Sequence, residues 1–163
     1  MAVTVSDGEC QLLVLRGEEI ASSAVEFMNL VCLELGIPIH ICSNQLINAA
    51  CLTWIESQLV SSSEGHQRKR LLVAGAYLEE QITVCALHAL SLGYEVFLLK
   101  DFVATRTVGH VQAFDMRLFQ AGVVPTTLRQ LLYEWLSQEE ISERQAAKRK
   151  LIELIDVVGL RPA

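Results

Sequence analysis

Short apolar runs of strand length alternate along this chain with longer stretches of helical periodicity, and that alternation leaves few folds open. Strand character falls at residues 11–15, 38–42, 70–74, 95–99 and 123–125, and residues 3–5 could add a short sixth. Helical spacing fills the intervals near 19–35, 45–60, 78–92 and 109–120. Strands that read as near-continuous apolar runs are buried on both faces, so the expected product is a doubly wound parallel sheet of five or six strands in a three-layer α/β/α, Rossmann-like sandwich. Short helix-to-strand connections imply right-handed crossovers.

The stretch 71–127 carries the pattern best. Leu78, Ile82, Cys85, Ala86 and Ala89 fall on one helical stripe, and Gly93 stops that helix as Gly36 and Gly122 stop others. The segment 61–67, SSSEGHQ, has no apolar residue and reads as a surface loop rather than a domain boundary. After Pro125 the chain turns helical again with Thr127 as N-cap, and residues 139–158 continue with an apolar stripe of Leu151, Leu154, Ile155 and Val158. That stripe packs either on its own domain or on a neighbouring subunit. One domain over residues 1–163 is expected, with a core at about 10–137 and a C-terminal helical extension at about 139–158.

A chain of 163 residues can bury one sizeable core. Apolar residues form 52% of it, slightly above the usual share, and the surplus points to a homo-oligomer. No apolar run reaches the length of about 18 residues that a membrane span requires. The N-terminal ten residues include Asp7 and Glu9 and lack a basic, apolar leader pattern, so a cytoplasmic location is expected. Five cysteines with no CxxC pair read as reduced and mostly buried. A net charge of −6, with basic clusters only at 68–70 and 148–150, disfavours nucleic acid as a partner.

The ordered set Gly36-Ile37-Pro38-Ile39, Leu72-Val73-Ala74-Gly75, Ala89 through Gly93-Tyr94, Asp101, and Arg106, Arg117, Gln120 and Gly122 resembles the isochorismatase-like cysteine hydrolases, specifically the isochorismatase domain-containing branch. The resemblance extends from about Cys10 to the C-terminus. It implies an active site at the carboxyl ends of the strands, often in a homo-oligomer, built on an Asp, Lys and Cys triad. In such a triad a helix N-terminus and a nearby cation lower the thiol pKa while the carboxylate carries the proton.

Carried across position by position, the triad is not there. Arg16 stands after Leu13-Val14-Leu15 where the carboxylate is implied, and an arginine cannot accept a proton. Glu18 lies two residues on and could reach the same space, but it reads rather as a solvent-facing helix-start glutamate. The lysine position is empty, since the first lysine is Lys69, immediately before the third strand. Six residues after Gly75, at the nucleophile position, stands Gln81, an amide. Cys85 is one helical turn further and is the weak remaining thiol candidate, with Glu79 and Glu80 nearby opposing thiolate formation. The expected cleft lining is Arg16, Glu18, Asn44, Tyr77, Glu79 and Gln81, and a short 41–70 segment predicts a small or open pocket.

Metal-binding relatives are implied to use an Asp and two His residues, but His40, His66, His88 and His110 show no ligand spacing, so no metal and no cofactor is expected. No GxSxG, GxGxxG or GxxxxGK[ST] motif occurs. Trp54 and Trp135 read as core or interface anchors. The leading expectation is therefore an inactive member, a pseudoenzyme acting by binding or assembly. Two alternatives stay open: a hydrolase of a small amide-type substrate with chemistry rebuilt on Cys85, Glu18 or Glu79, and a small-acid sensor in which Arg16 grips a carboxylate.

Overall fold

Each strand alternates its side chains between two apolar layers, and that alternation organises the chain in the computed structural model, which describes residues 10–16, 22–43, 49–60 and 70–158. In β1 (Cys10–Arg16), Cys10, Leu12 and Val14 face one layer and Leu13 and Leu15 the other. The elements that follow are α1 (Ser22–Leu35), β2 (Ile39–Ser43), α2 (Ala49–Val60), β3 (Arg70–Tyr77), a π-turn (Leu78–Ile82), α3 (Thr83–Ser91) and β4 (Glu95–Ala104). A 3₁₀ turn (Val108–His110), α4 (Val111–Ala121), β5 (Val124–Thr126), α5 (Leu128–Gln138) and α6 (Ser142–Val158) complete it.

The five strands form one wholly parallel sheet in the order β2-β1-β3-β4-β5. Helices α1, α5 and α6 cover one face, and α2, α3 and α4 the other. This is the expected three-layer α/β/α arrangement; the short strand expected at residues 3–5 lies outside the described residues. Among those residues no helix is long and apolar enough to cross a membrane.

Several local expectations hold and several need correction. Thr127 caps α5, its side-chain oxygen accepting the Gln130 N–H at 3.1 Å. Gly36, Gly93 and Gly122 all take positive φ at the ends of their helices. The C-terminal stripe packs on its own domain: Leu151 and Ile155 are buried against the α1 and α5 layer, together with Ile152, which the periodicity left out. Lys148, only 2% exposed, is held there by an ion pair of 2.7 Å to Glu139, whose carboxyl this contact holds below its ordinary value.

The helix expected at 78–92 is not one α-helix. Its first turn is a π-turn, and Glu80 (φ −120, ψ −107) breaks the helical path inside it. The Thr83 hydroxyl donates to the Leu78 carbonyl at 2.6 Å, satisfying a buried acceptor that the regular ladder leaves over. Strand β4 is ten residues long, twice its expected length. It runs from Leu98 to Val103 while β3 advances only from Val73 to Gly75, so the four residues 99–102 of β4 stand opposite one residue of β3 and the ladder swells there. The cysteines divide as well: Cys10, Cys32 and Cys85 are buried and outside any disulfide, but Cys42 near the end of β2 is disulfide-bonded. A disulfide depends on two Cα atoms coming within about 7 Å, a proximity that sequence spacing does not reveal. The reading of all five thiols as reduced therefore fails at Cys42.

Among the described glycines, Gly75 alone has a Cβ position that would collide with backbone. Its φ is +107, and a Cβ built there would lie 2.2 Å from the Leu15 carbonyl oxygen of the neighbouring strand. The close approach of β1 and β3 at this rung aims the chain leaving β3 into the π-turn.

Candidate functional site

In a sheet of this order the chain reverses direction between β1 and β3, and the crevice beyond their carboxyl ends is where such folds bind ligands. Arg16 ends β1, paired with Ser43 of β2, while Leu15 pairs with Gly75 of β3. The backbone therefore places Arg16 at the expected edge of the crevice; its side chain, Glu18 and Asn44 lie outside what is described. On the other side, Tyr77 ends β3, and Glu79, Glu80 and Gln81 follow in the π-turn.

Gln81 is buried at 7% exposure. Its place within the π-turn, two residues before α3 begins, removes it from the N-cap that a helix-activated nucleophile would occupy. Cys85 lies inside α3 at 4% exposure, and burial pushes its thiol up to about 11, so the thiolate is scarce at neutral pH.

The loop after β4 clasps the end of β3 and the start of the π-turn. The Glu79 carboxylate accepts the Arg106 backbone N–H on both oxygens, at 3.1 Å each, and the Thr107 N–H at 3.2 Å. Partial burial alone would raise the Glu79 pKa, but its own backbone N–H, those of Arg106 and Thr107, and the charge of His110 together hold it below the ordinary value. The Arg106 guanidinium pairs with Glu80 and lies 4.0 Å over the Tyr77 ring. Of the expected lining residues, the fold thus brings Tyr77, Glu79 and Gln81 together, with Tyr77 and Glu79 engaged by Arg106. The two halves of the clasp are 26 to 28 residues apart, so only their opposite charges could have hinted at it in the sequence.

Two further polar groups of the region have structural partners. Lys100 Nζ binds both Asp115 carboxylate oxygens at 2.7 and 2.9 Å. Asp101 accepts the Leu128 N–H at the start of α5, at 3.1 and 3.3 Å; burial raises its pKa, and these bonds oppose the rise. His40 stacks on Trp54 with ring centroids 4.5 Å apart, and burial lowers its pKa. His88 meets Glu56 at 3.1 Å, and Trp135 is 1% exposed in the core. Among the described residues no three His, Cys, Asp or Glu side chains converge as metal ligands; His66 lies outside them.

A family model described as the isochorismatase domain matches residues 49–130. No curated protein sequence matches the chain significantly. Among solved structures, the chain is similar to the MAR1 ribonuclease of Caenorhabditis elegans, with 13% identity, a TM-score of 0.66 and 93% of each chain covered. It is similar to YcaC of Pseudomonas aeruginosa, solved with hexane-2,5-diol and covalent acrylamide (17%, 0.63, 96% of this chain and 97% of that one). It is also similar to YcaC of Escherichia coli, an octameric hydrolase of unknown specificity (15%, 0.59, 97% and 98%). At these identities the likeness is one of fold.

Proposed function

The chain belongs to the isochorismatase domain family, and we propose that within this hydrolase family it has kept the fold and given up thiol catalysis, acting by binding or assembly. The observation that carries the proposal is Gln81: the position six residues beyond Gly75 holds a buried amide inside a π-turn. An amide is a poor nucleophile, and the residues just before it, Tyr77, Glu79 and Glu80, are engaged by Arg106. Arg16 at the expected carboxylate position supports the same reading, since an arginine cannot accept a proton. The octameric YcaC neighbour supports assembly as the retained role.

The test is a turnover assay of the full chain against small amides and related hydrolase substrates, with RNA added because one fold neighbour is a ribonuclease. The expected outcome is no saturable turnover, and none gained by Gln81→Cys. Acrylamide, covalently bound in one YcaC structure, is expected to label Cys10, Cys32 and Cys85 only after unfolding. Saturable turnover abolished by Gln81→Ala, or native-state labelling of Cys85 with loss of activity in Cys85→Ser, overturns the proposal in favour of a rebuilt hydrolase. A small carboxylic acid that stabilises the wild type but not Arg16→Ala establishes the sensor instead.

A further inference from the structure

We propose that the Cys42 disulfide is a redox switch on the rim of the crevice: its reduction by a small cellular thiol such as glutathione loosens the carboxyl end of β2, next to Arg16, while the domain stays folded. As regulation of the crevice it rests on the reading above that this end of the sheet is the binding site, and it is independent of whether the crevice is catalytically inert.

The bond sits where the sheet meets the crevice. Cys42 pairs with Leu15, Leu15 with Gly75 and Gly75 with Val103, so one backbone rung runs from the bond across to β4. The next residue, Ser43, pairs with Arg16, and both strands end there. That rung has no slack between β1 and β3, because a single methyl group on Gly75 would collide with the Leu15 carbonyl. A displacement of β2 is therefore felt in β1. Among the described residues β2 is an edge strand with β1 as its sole neighbour, so one ladder holds its end.

Of the five cysteines, Cys10, Cys32 and Cys85 lie outside any disulfide, and the sequence leaves Cys51, in the first turn of α2, for Cys42. The bond then ties the end of β2 to the start of α2. From Leu52 onward α2 has anchors of its own. Leu52 packs on the core, Trp54 stacks on His40 of β2 at 4.5 Å, Ile55 is fully buried and its carbonyl accepts the Tyr94 hydroxyl at 2.9 Å, and Glu56 meets His88 at 3.1 Å. These contacts keep the helix on the sheet when the cross-link is cut, so reduction frees only the short stretch that the bond closes.

The exchange balances with glutathione as the reductant. One glutathione thiolate attacks a sulfur of the bond, giving a mixed disulfide and releasing the other cysteine as a thiolate that takes up a proton. A second glutathione thiolate attacks the glutathione sulfur, releasing the second cysteine and leaving glutathione disulfide. Cys42 is 5% exposed, but Ile41 beside it is 40% exposed, so fraying of the edge strand opens the bond to attack.

The test equilibrates the native full chain in glutathione buffers of rising thiol-to-disulfide ratio, then maps bonds by alkylation and mass spectrometry and follows amide exchange and circular dichroism. A Cys42–Cys51 bond should give way to thiols across the series with the dichroism spectrum unchanged. In the reduced chain, exchange at residues 15–16 and 41–43 should be about tenfold faster or more, while residues 52–57 keep their protection. Cys42→Ser should show the reduced pattern in every buffer; should it fail to fold, the wild-type series decides. A bond that persists in the most reducing buffer, reduction that unfolds the whole chain, a bond from Cys42 to any other residue, or exchange that ignores the redox state overturns the switch and leaves the inert reading standing. Saturable turnover in either redox state overturns the inert reading and leaves the switch.

Discussion

Gly75→Ala tests the geometry on which the crevice depends. Holding a non-glycine residue in this backbone region costs about 1–3 kcal/mol. The added methyl would also lie 2.2 Å from the Leu15 carbonyl oxygen, a backbone atom of a central strand that cannot rotate aside. Forced overpacking of that kind adds about 1–3 kcal/mol. The expected loss is therefore about 2–6 kcal/mol, a large part of the 5–15 kcal/mol typical of a domain. Gly93→Ala is the matched control: φ is +90 there, but nothing lies within 4 Å of the added Cβ, so only the backbone cost of about 1–3 kcal/mol applies. Urea denaturation of both variants, read with unchanged slopes, isolates the contact between β1 and β3 as the difference. At about 2–4 °C per kcal/mol, thermal melts should separate the two variants by several degrees. If Gly75→Ala and Gly93→Ala destabilise equally, the close approach of the strands is wrong and the placement of the π-turn falls with it.

Three other outcomes are expected. With its thiol near 11, Cys85 is about 1 part in 4,000 thiolate at pH 7.4, against about 7% for an ordinary cysteine, so iodoacetamide should modify it several hundredfold more slowly in the native chain; rapid labelling located by mass spectrometry contradicts this. Because the folded Glu79 carboxyl titrates below its unfolded value, its stabilisation is complete above the unfolded carboxylate range and is lost as pH falls through the folded value; Glu79→Gln should flatten that acid limb and speed exchange of the Arg106 and Thr107 amides, and unchanged exchange refutes the clasp. Among the described residues the buried Trp135 Nε1 has no hydrogen-bond partner, so Trp135→Phe removes an unsatisfied donor while opening a small void, and equilibrium unfolding should move by less than about 1 kcal/mol; a loss of about 3 kcal/mol would mean the donor is satisfied.

What could be read from the chain alone was the part set by local periodicity. Apolar runs bounded by Gly36, Gly93 and Gly122 specify strands buried on both faces and the helices between them, because only a covered parallel sheet satisfies that pattern. The expectation that Gln81 and Arg16 stand where related hydrolases carry a thiol and a carboxylate likewise came from the sequence, since chemical identity travels with the residue. Tertiary structure decided what depends on contacts between distant segments. The π-turn at Leu78–Ile82, the swelling of β4 that aims Asp101 at α5, the Cys42 disulfide and the clasp of Arg106 on Glu79 and Glu80 each join groups whose proximity no spacing encodes. Side-chain chemistry is local, but burial and pairing belong to the folded chain.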